Sequence, residues 1–127
     1  MTEQAVVMEQ DNLDRALVVE DDPQLLRLLV RYLQRAGLET DGVETAALAV
    51  KSFTPGVYTI VLADLTLPDG SGLDLLGSFL RADPKLRGVL CSGYPLALDM
   101  LPASERGRVA ILQKPFSPRE LLLLLRP

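Results

Sequence analysis

Residues 57–63 (VYTIVLA) constrain the fold more than any other stretch of this chain. The run is apolar on both faces, as expected of a central strand in a parallel sheet covered on two sides. Apolar runs and helical patterns alternate around it. Residues 16–19 form a short valine-rich run, long enough for a buried strand and too short for a helix. Asp22-Pro23 then offers an N-cap followed by proline in the first helical position. Leu25, Leu28, Leu29, Leu33 and Ala36 recur at helical spacing, with Arg27, Arg31 and Arg35 as the opposite stripe and Gly37 as the stop.

Residues 38–43 are mixed in polarity and predict an edge strand. Residues 45–53 predict a helix closed by Pro55-Gly56, and residues 73–80 another that stops at Asp83-Pro84. Residues 89–92 and 109–112 read as the fourth and fifth strands, with a short helix at 95–101 bounded by Pro102. Ser117-Pro118-Arg119-Glu120 is a capping box opening a final helix to Arg126. Five strands alternating with five helices predict an α/β fold with a doubly wound parallel sheet. Functional residues in such a sheet collect beyond the carboxyl ends of the strands.

Composition removes several chemistries. The chain has 127 residues and no histidine, which excludes Ser-His-Asp and Cys-His catalysis, imidazole ligation and phosphohistidine on this chain. One cysteine, Cys91, forbids an internal disulfide and a cysteine-based structural zinc site, and suits a reducing cytoplasm. Net charge is −4, and Glu3, Glu9, Asp11 and Asp14 account for all of it. Residues 1–14 therefore read as a flexible acidic N-terminal tail, with a short helical piece expected at 5–8, and residues 15–127 as one balanced domain. No basic block suggests nucleic acid, and no apolar run approaches a membrane span. A cytoplasmic chain with no direct nucleic-acid or membrane binding is expected.

The predicted strands end in chemistry. Glu20-Asp21-Asp22 follow the first, Asp64 the third, Ser92-Gly93 the fourth and Lys114-Pro115 the fifth. In a parallel sheet these ends share one edge. Clustered carboxylates repel unless a cation neutralises them, and oxygen ligands alone favour a hard ion such as Mg²⁺. A carboxylate beside such an ion can attack phosphorus, while an ammonium and a hydroxyl hold the oxygens of the moving phosphoryl group. Singly, each residue also fits a cap, a turn or a solvated lysine.

LVVEDDP (17–23), VLADLTLPDGSGLDLL (61–76), LCSGYP (90–95) and LQKPFSPRELL (112–122) together resemble the receiver domains of bacterial two-component response regulators. The SGYP and LQKPFSPREL wording is also similar to receivers of hybrid sensor kinases. The resemblance implies a flavodoxin-like sheet with strand order 2-1-3-4-5. It implies Asp64 as phosphoacceptor, with Ser92 as switch hydroxyl and Lys114 as the lysine pairing with the phosphoryl group. Glu20, Asp21, Asp64 and the backbone carbonyl of Thr66 would hold Mg²⁺. Pro68 and Gly72 match the loop and turn after the phosphorylation site, and the Lys114-Pro115 bond is cis in the family. A histidine kinase or histidine phosphotransfer protein would be the donor and a downstream protein the output partner. The chain itself would be a signalling switch and not an enzyme.

Two positions depart from the family pattern. Ile111 stands where receivers usually carry Tyr or Phe, and Tyr94 is a bulky residue two after Ser92, expected to shield the acyl phosphate from water. Consecutive leucines 121–125 wrap the last helix, with Leu121, Leu122 and Leu125 expected inward and Leu123 and Leu124 partly outward. The outward pair fits either ordinary exposed leucine or, on the face of the fourth helix, fifth strand and fifth helix that the resemblance implies, a homodimer or partner surface. Two rivals follow. An aspartate-nucleophile phosphohydrolase would want a second Asp two after the first, where this chain has Thr66. A degenerate receiver would be a phosphorylation-independent binding module.

Overall fold

The computed structural model of the chain describes residues 14–93, 95, 99 and 101–125. Five strands form the main sheet: β1 (Arg15–Val19), β2 (Glu39–Val43), β3 (Ile60–Asp64), β4 (Arg87–Ser92) and β5 (Val109–Gln113). All neighbours run parallel in the order β2-β1-β3-β4-β5, as the resemblance implies. Among the described residues four helices connect them, α1 (Pro23–Arg35), α2 (Ala46–Ser52), α3 (Gly72–Ala82) and α4 (Ala103–Arg106), and α5 (Pro118–Leu124) follows β5. Two residue clusters fill the faces of the sheet. Leu17, Val61, Leu76, Phe79 and Leu90 lie in one; Val18, Leu29, Leu33, Leu62 and Leu121 lie in the other. Alternate residues of β1 and β3 point into opposite clusters, which is why both strands are apolar throughout.

Local chemistry sets the helix starts. Asp22 Oδ1 accepts from the N–H groups of Gln24 (3.0 Å) and Leu25 (3.4 Å) ahead of α1. The Ser117–Glu120 capping box is complete, at 3.1 Å and 3.0 Å in its two directions.

At the amino-terminal edge of the sheet, two arginines bind helix carboxyl ends. Arg108 donates to the carbonyls of Leu80 (2.7 Å), Asp83 (2.8 Å) and Leu86 (2.9 Å), closing the end of α3. Arg87 donates to Leu124 (2.8 Å) and Leu125 (3.3 Å) at the end of α5. Guanidinium donors at these carbonyls complement the helix dipole.

The structure corrects several boundaries. The third strand starts at Ile60, because Tyr58 leaves the sheet edge to stack near Phe53 and to donate a 2.7 Å hydrogen bond to Asp41. The described helix before β5 is Ala103–Arg106, which the sequence does not announce, with Pro102 at its N-cap. Most of the helix predicted at 95–101, the neighbouring Tyr94, and the acidic tail apart from Asp14 lie outside the described residues. On α1, Leu29 and Leu33 are buried, whereas Leu28 is 41% exposed: the contact with the sheet is narrower than the apolar stripe. On α5 the inward face is Leu121, Leu124 and Leu125, and Leu122 turns out with Leu123. A spacing of i, i+3, i+4 keeps those three on one side. No helix among the described residues is long and apolar enough to cross a membrane.

Candidate functional site

The carboxyl edge of the sheet gathers the predicted residues. Glu20 follows β1 and keeps its N–H on the carbonyl of Val43 at 3.0 Å, so the β1–β2 ladder fixes its backbone. Its side chain is buried, with Oε2 accepting the N–H of Asp22 at 3.1 Å. Asp21, beside it, is exposed. Asp64 closes β3 in register with Cys91 of β4, which places Ser92 one step beyond that pair. Ser92 is buried, and its carbonyl accepts the N–H of Lys114 at 2.7 Å. That bond brings the lysine to the same edge, just before the cis Lys114-Pro115 peptide.

The side chains then converge. One carboxylate oxygen from each of Glu20, Asp21 and Asp64 lies within 4.8 Å of the others. Lys114 Nζ stands 3.2 Å from Glu20 Oε1 and 3.2 Å from Asp64 Oδ2. Burial raises the Glu20 carboxyl above its ordinary value; the Asp22 N–H works against that, the Asp64 charge adds to it, and Lys114 offsets part. Burial disfavours the Lys114 ammonium, yet the hydrogen bonds and charges of Glu20 and Asp64 prevail and raise its pKa. Burial likewise pushes the Cys91 thiol up to about 12, so it brings no competing thiolate beside Asp64.

The donors fit a hard divalent cation. All three are carboxylates, no histidine exists in the chain, and the single ammonium of Lys114 cannot balance three negative charges. Thr66, two residues beyond Asp64, is exposed and begins a two-stranded ribbon, Thr66–Leu67 with Gly70–Ser71. Ile111 is half-buried on β5, the edge strand opposite β2.

Two features at this edge escaped the sequence reading. A groove of about 400 Å³ opens beside Lys114, lined by Leu25, Leu28, Tyr32, Pro115 and Phe116. The outward Leu28 belongs to it, and an apolar Phe directly after Lys114-Pro115 was the available signal. The second is Asp69, whose carboxylate accepts from Ala46 N–H (2.8 Å) and Ala47 N–H (2.9 Å). An aspartate in a Pro-Asp-Gly turn announces a hydrogen bond but not its partner.

This arrangement on a five-stranded parallel sheet agrees with sequence comparison. Residues 16–126 match the response regulator receiver domain family model, and the chain belongs to that family. Among curated relatives it is 33% identical over 112 residues to the transcriptional regulatory protein BasR of Escherichia coli, covering 88% of this chain and 50% of BasR. It is 30% identical to the response regulator receiver protein CpdR of Brucella abortus, covering 85% of this chain and 90% of CpdR. The chain thus spans about half the length of BasR but most of CpdR. Among solved structures, the non-phosphorylated HemR receiver domain of Leptospira biflexa superposes with a TM-score of 0.78 at 29% identity, covering 90% and 98% of the two chains. A CheY-like receiver domain protein of Methanospirillum hungatei gives 0.77 at 28%, covering 90% and 91%.

Proposed function

We propose that residues 15–127 act as a phosphorylation-dependent signalling switch, with Asp64 accepting a phosphoryl group from a histidine-bearing partner. The observation that carries this reading is the position of Lys114 Nζ, 3.2 Å from both Glu20 and Asp64 inside a three-carboxylate cluster. Glu20, Asp21, Asp64 and the Thr66 carbonyl would hold Mg²⁺, which when bound supplies charge neutralisation for carboxylates and phosphate together.

The chain's own residues do the rest. An Asp64 oxygen forms the bond to phosphorus as the phosphorus–nitrogen bond breaks, its electron pair returning to the partner's imidazole. The new group brings dianionic charge to the edge, and Lys114 moves its hydrogen bond from the carboxylate to a phosphoryl oxygen. Ser92, one step past Asp64 in the sheet register, offers a hydroxyl to another. Burial of Glu20 keeps bulk water from one side of the cluster. The apolar groove flanked by Lys114 gives a helical donor a dry surface next to the acceptor, and Leu28 and Phe116 are its exposed and half-buried walls. Shifts at Ser92 and Lys114 then bias the surface of α4, β5 and α5 toward a downstream protein or a second copy.

The test is mass measurement of the intact protein after incubation with Mg²⁺ and acetyl phosphate. One phosphoryl adduct, absent in Asp64→Asn, is the expected result. Rapid phosphate release without an adduct favours a phosphohydrolase. No adduct with acetyl phosphate or a phosphorylated histidine protein favours the binding module.

A further inference from the structure

The segment that leaves Asp64 is fastened at both ends and at its tip. At its base, Leu65 N–H reaches the Cys91 carbonyl at 2.8 Å and Gly72 N–H reaches the Leu65 carbonyl at 2.7 Å. Between them Thr66 pairs with Ser71 and Leu67 with Gly70, so Pro68-Asp69 forms the two-residue turn. A tip of that kind has nothing of its own to hold it, and two-residue strands are marginal alone. Here the Asp69 carboxylate spans the first two N–H groups of α2, one oxygen on Ala46 and the other on Ala47. Those donors lie 23 and 22 residues earlier in the chain, so the contact is tertiary and not a local cap. The local cap of α2 is a separate group, Thr45 Oγ1, which accepts from Leu48 at 3.1 Å. Leu67 is buried in the core cluster against which Ala46 packs, so the ribbon and the start of α2 also share apolar contacts.

We infer that Asp69 is a positioning residue for the Asp64 site: by tying the ribbon tip to α2 it fixes the Leu65–Thr66 backbone, and with it the carbonyl offered to the cation. The inference rests on the reading of Asp64 and Thr66 given above. The geometry leaves little slack. Thr66 is three residues from the anchored carboxylate and two from Asp64, and Gly72 clamps the other strand of the ribbon. Released from α2, the tip can swing about that base and the Thr66 carbonyl swings with it. The two N–H bonds also draw the Asp69 carboxyl below its ordinary range, so the anchor is ionised at neutral pH.

The experiment uses three variants of the whole chain: Asp69→Ala, Asp69→Asn and Thr45→Ala. Each is titrated with MgCl₂ by calorimetry, labelled with acetyl phosphate at graded Mg²⁺, and melted without metal. Asp69→Ala should weaken Mg²⁺ binding about tenfold, the scale seen when a ligand's outer support is removed. Asp69→Asn keeps one acceptor oxygen and should lie between it and the unaltered protein. Thr45→Ala removes the other cap of the same helix without touching the ribbon. It should lower the melting temperature and leave Mg²⁺ binding and labelling unchanged. Equal melting shifts for Asp69→Ala and Thr45→Ala with Mg²⁺ affinity unmoved in both would reduce Asp69 to an ordinary cap and overturn the inference. Failure of the unaltered chain to bind Mg²⁺ or take label is a different result, and overturns the reading of the site itself.

Discussion

Gly72 lies against the backbone of Asp64. A Cβ at Gly72 would fall 2.7 Å from the Asp64 carbonyl carbon and closer still to its oxygen, with Leu65 Cα at 3.1 Å. These are backbone atoms and cannot step aside without moving Asp64. Only glycine lets α3 begin this close to the end of β3.

Gly72→Ala should therefore destabilise the fold by about 3 kcal/mol or more, at the upper end for overpacking. Urea denaturation followed by circular dichroism measures it. Gly77→Ala serves as the control, because its nearest neighbour is the movable Arg81 guanidinium at 3.2 Å. An equal loss in both variants would contradict the assignment of strain to the Asp64 backbone.

Lys114→Ala should cost about 2 kcal/mol at pH 7 without metal. That is short of the roughly 3–5 kcal/mol for a fully buried pair, because 28% of the Lys114 side chain reaches water. The loss should shrink as pH falls toward 5. Without the ammonium the Glu20 carboxyl, already raised by burial, rises further. A carboxyl whose folded pKa exceeds its unfolded value takes up protons on folding, so stability declines as pH climbs through that interval. Denaturation midpoints at pH 5, 6 and 7 in EDTA give the slope, and a gap constant with pH would count against it.

Arg108→Ala should cost about 2–3 kcal/mol, the scale for charged hydrogen bonds to carbonyls. Arg108→Lys should recover only part, since an ammonium lacks the fork that reaches the carbonyls of Leu80, Asp83 and Leu86 together. Full rescue by lysine, read from urea midpoints, would show that charge alone suffices there.

Tyr58 gives an alkaline signature. Its phenol is buried first and bonded to Asp41 second, and together these push its pKa up to about 12. An unfolded tyrosine ionises near 10. The neutral phenol's contribution is intact below pH 10 and is lost as pH rises toward 12. Tyr58→Phe should cost about 1 kcal/mol at pH 8 and less at higher pH, with one of the three tyrosines missing from the late part of the ultraviolet titration. A late-titrating tyrosine that survives the substitution would assign the shift to another residue.

The sequence made the sheet and the acid edge legible because both rest on short, local signals. A two-sided apolar run needs no partner to be recognised, and Glu20, Asp64, Ser92 and Lys114 each sit directly at a strand end. Ser117 and Glu120 carry their hydrogen bonds within one turn, so their capping box was equally plain. The ribbon at 66–71 was invisible, since strands of two residues have no period. Asp69 could not be paired with Ala46 and Ala47, because no spacing rule spans that separation. Tyr58 was read into the strand on its composition, while Phe53 and Asp41, remote in sequence, draw it out. Leu28 and Leu122 were turned inward because an apolar stripe shows only which residues can be buried, and the width of the neighbouring surface decides which are.

The two arginines at the amino-terminal edge have a further consequence. Arg87 and Arg108 fasten the tails of α5 and α3 at the end of the molecule farthest from Asp64, so that end resembles the stem of a tuning fork and the acid edge its tines. Local opening should then be graded along the strands: amide protons near Leu86 and Gly88 exchange with deuterium only through global unfolding, and those of the exposed Asp21 and Asp22 through small excursions. A molecule built this way yields first at its acid edge while the stem keeps the memory of the fold.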